Sequence, residues 1–390
     1  MLIKNIFLII TGDKYPNGDA GAIREHSFAK IFQELGYFPI IIGMGETTNF
    51  KKKIYDEVTY YSMRYSNKNI VYRILGRVLF LYNTKKILKQ LQLNEIKGIL
   101  VVSGGKVVFE YFEKISKENN IQLFHDSVEW YSSTEFKRGE KDRAYKANQE
   151  LNTEIINKNY KVFSISSYLE KFFSEKGIKT IRVPVIMDVQ RIKHQKDMGK
   201  GEKIRIIYAG QVGEKDHLVE VVQAIEYLEK NNISKFQLRL IGITREQYEN
   251  KFGKIKEELL NKSIYFMGRI SREEVLNELS KAHFTVLLRP ENERYAKAGF
   301  PTKVVESLST ATPVICNYTS DLNLYLRDRY NAIILDGCSE DACIKGLERI
   351  LKLSKMELET MQGNARKSAE KYFDYRKYRK KFFDFVKGVK

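Results

Sequence analysis

At 390 residues the chain is long for a single core, and two domains are expected. Hydrophobic residues at 43% and aromatics at 12% exclude bulk disorder, while a formal net charge of +18 asks for an anionic partner: a diphosphate substrate, an acidic lipid surface or nucleic acid. Three cysteines (Cys316, Cys338, Cys343) are too few for a disulfide framework and lack zinc-ligand spacing, which points to a reducing compartment.

The first predicted strand is Ile3–Ile10. Its apolar core from Ile6 is too short to span a membrane and no cleavage site follows it. The loop from Thr11 to Arg24 carries Gly18 and Gly21 and opens a helix. It satisfies neither the G-x-G-x-x-G nor the P-loop pattern. Further short β-rich runs follow at Phe38–Gly43, Val58–Ser62, Gly98–Ser103, Ile121–His125 and Lys161–Ser166. Between them, Val71–Leu91 is basic and amphipathic. It reads either as a core-packed helix with solvated lysines or as a helix resting on anionic lipid. The run ending at His125 continues Asp126-Ser-Val-Glu129-Trp130, and the carboxyl end of a strand is where an α/β fold puts its chemistry. The competing reading makes His125 a satisfied structural histidine and Asp126 a helix cap.

After a polar, basic linker at 187–203 the alternation resumes with Ile204–Gly210, Phe236–Ile243, Ile264–Gly268, Phe284–Leu288, Pro313–Asn317 and Ala332–Asp336. Strands alternating with helices give an α/β class: two doubly wound, Rossmann-like domains at 1–186 and 204–367, facing a cleft, with a helical stretch at 368–390. Strand Ile204–Tyr208 runs into Ala209-Gly210-Gln211 and then Lys215-Asp216. A glycine there lets a phosphate approach, and Lys215 can neutralise a diphosphate. Arg289 supplies a further cation. The five histidines are scattered, and neither H-E-x-x-H nor Asp-x-Asp occurs, so no metal or cofactor is expected.

The most informative segment is Ala298-Gly299-Phe300-Pro301-Thr302-Lys303-Val-Val-Glu306, which leads through Pro313 to an apolar strand. A Gly-Phe-Pro entry presets a helical turn, and the first N–H groups, those of Thr302 and Lys303, favour an anion. Glu306 shares a face with Thr302 and Lys303 and lies roughly 5–7 Å along the helix. That is the span from a diphosphate to the hydroxyls of a ribose.

This segment resembles the nucleotide-sugar cassette of family-4 retaining glycosyltransferases, Glu-x7-Glu with Gly-Phe after the first Glu. The resemblance implies a GT-B fold with Glu306 on the ribose of the donor. The first Glu is replaced by Ala298. The family's Gly-Arg-x(3–4)-Lys-Gly is matched at Gly210 and Lys215, while Gln211 stands for the Arg and Asp216 for the second Gly. Lys303 or Arg289 would then compensate on the diphosphate. The resemblance further implies that Gly18, Gly21 and Arg24 line the cleft and that His125 sits near the transferred sugar. Asp126, Glu129 and Trp130 go with the acceptor, and the last helix packs back on the first domain. The family's helix-ending Gly is Ala311 here. A left-handed residue at that point costs on the order of 1 kcal/mol, so a different helix end is expected.

The function implied is metal-independent transfer of a sugar from a nucleoside diphosphate sugar, a UDP-sugar favoured, to a glycan or lipid-linked acceptor in polysaccharide synthesis. The enzyme would be cytoplasmic, at the inner face of an anionic membrane, and would have no nucleic-acid partner. The alternatives are a nucleotide-sugar epimerase and an inactive scaffold subunit.

Overall fold

The structure, a computed structural model, describes residues 4–16, 20–44, 51–63, 70–194, 203–211, 213 and 215–387. The chain divides into two compact units, 1–188 with 375–390, and 189–374. The predicted linker lies partly outside the described residues, at 195–202.

The first unit holds an eight-stranded sheet among the described residues. Its strands are β1 (Ile6–Ile10), β2 (Phe38–Met44), β3 (Lys53–Tyr55), β4 (Val58–Met63), β5 (Ile96–Val101), β6 (Gln122–Ser127), β7 (Tyr160–Ser164) and β8 (Thr180–Arg182). They lie in the order β3-β4-β2-β1-β5-β6-β7-β8. Each neighbouring pair is parallel except β3 with β4. Every residue of β1 is buried, which is why it reads as an unbroken apolar run rather than an alternating one. Phe7 stacks on Phe32 of the helix Ala20–Glu34 at 3.7 Å between ring centroids. Gly98 on β5 makes room for that ring, since a β-carbon there would come within 2.5 Å of Phe7.

Strands β3 and β8 are not among the runs read from the sequence. Each is only three residues long, too short to show a period. The helix Ile70–Gln90 turns Phe80, Thr84, Ile87 and Leu88 inward, and leaves Val78, Leu79, Tyr82, Lys85, Lys86 and Lys89 exposed in one stripe.

The second unit holds a six-stranded parallel sheet among the described residues. Its strands are β9 (Ile204–Ala209), β10 (Phe236–Ile241), β11 (Ile264–Gly268), β12 (Phe284–Leu287), β13 (Val314–Cys316) and β14 (Ala332–Ile334). The order β11-β10-β9-β12-β13-β14 reverses direction between β9 and β12. At such a switch point the connections leave to opposite faces, and a crevice opens beyond the carboxyl ends of those two strands.

The helix Thr302–Ser309 packs beside this point. Val304, Val305 and Leu308 face the core, and Ser307 Oγ pairs with Thr285 Oγ1 of β12 at 2.6 Å. Its C-terminus corrects the expectation of a different ending, because Ala311 takes the left-handed conformation at φ 57°. Thr312 N–H donates to Ser307 O (2.9 Å) and Ala311 N–H to Leu308 O (3.0 Å), so the closing carbonyls are satisfied without glycine. Burial of the Ala311 methyl offsets part of the strain.

The chain returns to the first unit at Tyr375, whose N–H donates to Met187 O at 3.1 Å. Phe382 on the helix Arg379–Val386 then packs on Phe28 and Phe163, at 4.9 and 4.7 Å. Residues 368–374 stay with the second unit, where Phe373 contacts Phe300. All three cysteines are free thiols. Among the described residues no helix is long and apolar enough to cross a membrane.

Candidate functional site

Beyond the ends of β9 and β12 the second unit gathers a compact charged cluster. Asp216, buried just ahead of the helix Leu218–Lys230, receives a hydrogen bond from Arg289 Nε at 2.9 Å on one oxygen. Its other oxygen accepts from Tyr208 OH at 2.9 Å and pairs with Lys303 Nζ. Lys303 also donates to Tyr208 OH at 3.2 Å and lies 4.3 Å from the centre of that ring.

Gly210 is what allows this approach, because a β-carbon there would run into Lys303 Nζ. Gly242, at φ 89°, packs against the Gly210 carbonyl with no room for a side chain. Burial alone would push the Asp216 carboxyl up, but Lys303 and Arg289 outweigh it and hold the group well below the usual carboxylate range. Burial lowers the Lys303 ammonium, and Asp216 opposes that shift. The cluster has two cations and one carboxylate, gathered at a strand end whose glycines leave room for the Lys303 side chain.

The cassette helix supplies both Lys303 and Glu306. Val304 N–H turns back to Pro301 O at 3.1 Å, so the N–H groups of Thr302 and Lys303 come first at the helix mouth. Phe300 and Pro301 are buried, and Gly299 O accepts from Ser320 Oγ at 2.6 Å, which fixes the entry turn. Glu306 accepts from Arg272 Nε at 3.2 Å. Burial raises its carboxyl, against the pull of Arg272 and Lys303. Lys303 and Glu306 share the lining of one small pocket with Ile207, Ala209 and Leu287. The Lys215 ammonium lies 5.3 Å from the centre of the Tyr295 ring, and the Gln211 side chain is exposed.

The first unit carries the remaining candidate residues. Gly18 is outside the described residues, and Gly21 lies in the first turn of the helix Ala20–Glu34. Arg24 and Asp126 form a buried bidentate ion pair, with Nε and Nη2 donating at 2.7 and 2.8 Å. Arg24 also donates to Pro184 O and, at 3.0 Å, to Val183 O, so its guanidinium ties three segments of the unit together. Asp126 is therefore not a helix cap.

Trp130 is buried as well. Its Nε1 donates to Gln149 Oε1 at 2.6 Å, and its ring packs on Phe172 at 4.3 Å. Glu129 alone of that group is exposed. His125 Nδ1 meets Val101 O at 2.8 Å. A carbonyl only accepts, so the proton sits on Nδ1. Burial lowers this imidazole and keeps it neutral. Among the described residues no group of His, Cys, Asp or Glu gathers as metal ligands would.

Residues 189–368 match the family Glycosyl transferases group 1. The second unit is a glycosyl transferase group 1 domain. Solved structures resemble the whole chain at low identity. Sucrose-phosphate synthase from Thermosynechococcus elongatus is 14% identical, with 99% of each chain covered and a TM-score of 0.77. Anabaena HepE, in complex with UDP and glucose, is 11% identical over 97% of this chain and 99% of its own, at 0.69. The trehalose-6-phosphate protein from E. coli bound with UDP-2-fluoro glucose is 13% identical over 98% and 99%, at 0.68. These likenesses show a GT-B fold. No curated protein matches the sequence.

Two members of the cluster, Tyr208 and Asp216, and the Glu306 partner Arg272 carry no site motif in the sequence: Tyr208 reads as strand core, Asp216 only as a missing glycine, and Arg272 belongs to no motif. The adjacency of Asp216 to Lys215 is a usable signal for a carboxylate beside a basic loop residue. Nothing in the spacing of Arg272 from Glu306 announced their pairing.

Proposed function

We propose that the chain is a retaining glycosyltransferase. It moves a sugar from a nucleoside diphosphate sugar, with UDP the favoured carrier, to a glycan or lipid-linked acceptor in cell-surface polysaccharide synthesis. The carrying observation is that Lys303, Arg289 and the Gly210 strand end meet at the switch point of a group 1 domain, with Glu306 one turn further along the same helix. In this reading the diphosphate lies against Lys303, Arg289 and the N–H groups of the helix mouth. The ribose hydroxyls donate to Glu306, and Lys215 adds charge from the neighbouring loop. Preorganised cations then stabilise the departing diphosphate, with no divalent ion required.

UDP-bound relatives favour uridine as the base. The lipopolysaccharide outer core galactosyltransferase WaaB, 14% identical at a TM-score of 0.61, favours a cell-surface product. Retention goes with the resemblance of the Glu306 cassette. In the first unit, His125 offers a neutral imidazole of fixed orientation, a group suited to stand beside a sugar hydroxyl. Location at the inner face of an anionic membrane is supported by the exposed stripe from Val78 to Lys89, where apolar side chains give way to lysines.

A second reading, a binding subunit without turnover, is favoured by one observation: Ala298 is fully buried where the cassette's first Glu would stand. Calorimetric titration of UDP, GDP and ADP into wild type and Glu306→Ala tests the donor site. One nucleotide should bind, and the variant should weaken it roughly ten- to a hundredfold, as loss of a charged hydrogen-bond partner does. Failure of all three to bind would sink the assignment. Binding without transfer to any acceptor or to water would leave the second reading.

A further inference from the structure

The resembling family carries glycine where this chain carries Asp216, and that carboxylate sits on both cations of the diphosphate site. Its two oxygens are used by Arg289 on one side and by Lys303 and Tyr208 on the other. The side chain is 7% exposed, so the pairing is not a loose surface contact. Lys215, the remaining cation of the loop, places its ammonium over the Tyr295 ring.

The site is thus already half neutralised by the protein itself. Two opposed effects follow. Asp216 holds Lys303 and Arg289 side by side although they repel each other. It also repels any phosphate that comes to rest on them. A bound diphosphate can do the holding for itself, so in the occupied site only the repulsion remains, and the net action of Asp216 is to weaken binding.

We propose that Asp216 is an internal counterion of the diphosphate site, which keeps the two cations placed while the site is empty and selects against the more highly charged occupant. This inference rests on the donor-site reading above. A sugar nucleotide carries about two negative charges and the free nucleoside diphosphate nearly three near neutral pH, since the second ionisation of a terminal phosphate falls near pH 6. The repulsion therefore falls hardest on the product left after transfer. Asp216 thereby eases product release at a site whose Arg289, Lys303 and glycines would otherwise grip the diphosphate.

The test compares wild type with Asp216→Asn, which keeps the shape and the hydrogen-bond acceptor, and with Asp216→Gly, which restores the family residue. Inorganic pyrophosphate is the first probe because it is indifferent to the base; UDP and UDP-glucose follow. Both variants should bind pyrophosphate roughly tenfold tighter in low salt, an advantage that shrinks in 0.5 M NaCl as screening sets in. The gain should be larger for UDP than for UDP-glucose.

Unchanged or weaker pyrophosphate binding by a folded variant overturns the inference. So does failure of both variants to fold, which would make the carboxylate a structural tie. Failure of UDP, GDP and ADP to bind, with pyrophosphate behaving as expected, refutes the nucleotide reading instead and leaves the role of Asp216 standing.

Discussion

The buried pair Arg24–Asp126 offers the sharpest division between substrate contact and scaffold. Both side chains are at most 3% exposed, and the guanidinium also donates to the carbonyls of Val183 and Pro184. Replacing Asp126 by Asn keeps the shape but leaves Arg24 charged, buried and without its anion. Breaking a buried pair from one side costs about 3–5 kcal/mol. For a unit of about 200 residues each kcal/mol moves the melting temperature by about 2–4 °C, so a fall of roughly 6–20 °C is expected. Differential scanning calorimetry of Asp126→Asn reads the shift directly. A double replacement, Arg24→Met with Asp126→Leu, removes both charges and should recover most of the loss, because no orphan charge remains. An unchanged melting temperature in Asp126→Asn, together with a raised KM for acceptor, would refute the reasoning and return the pair to substrate binding.

Glu25 is 1% exposed, and burial together with the neighbouring Asp13 pushes its carboxyl well above the usual range. The folded protein therefore holds a proton that the unfolded chain sheds. The associated stability is complete below the unfolded value, near pH 4.3, and is lost as pH rises through the folded one. Glu25→Gln should accordingly be neutral near pH 4 and stabilise by about 1–3 kcal/mol at pH 8, read by urea unfolding at both pH values. Lys303→Met should weaken binding of UDP roughly ten- to a hundredfold while sparing uridine, measured by calorimetry. Saturating EDTA should leave turnover of the assigned donor unchanged, and loss of activity restored by Mg²⁺ would contradict a site that relies on Lys303 and Arg289. Replacing Lys85, Lys86 and Lys89 together by Glu should abolish co-sedimentation with phosphatidylglycerol vesicles, with wild type already absent from phosphatidylcholine pellets; equal pelleting of both proteins would rule out the stripe.

The sheets were legible because burial on both faces leaves a plain mark. Ile6–Ile10 and Ile204–Tyr208 can be read as strands from apolar continuity alone, and Gly/Pro punctuation located the cassette helix. Legibility ended where partners are distant in sequence. Trp130 stands out by composition as the only tryptophan, yet Gln149 and Phe172 absorb it into the packing. Asp126 and Arg24 are 102 residues apart, and each taken singly looks like a polar residue at a strand end or loop. Their chemistry is decided by each other, and only the folded sheet brings them together.

The same limit explains why a motif reading gave Lys303 and Glu306 roles but left them without neighbours. A helix of eight residues fixes those two relative to each other, so their spacing carries real geometric information. What tunes them arrives from elsewhere: Arg272 onto Glu306 across 34 positions, and Asp216 onto Lys303 across 87. Each of these partners carries the opposite charge to the group it meets, so on the proposed reading each must yield or share when a donor binds. Loss of the motif's Arg at Gln211 is then not a simple subtraction of one cation. Arg289 stands at the same switch point, and Asp216 is the residue that holds it there, so a departure that looks like weakening in one dimension becomes a rebalanced site in three.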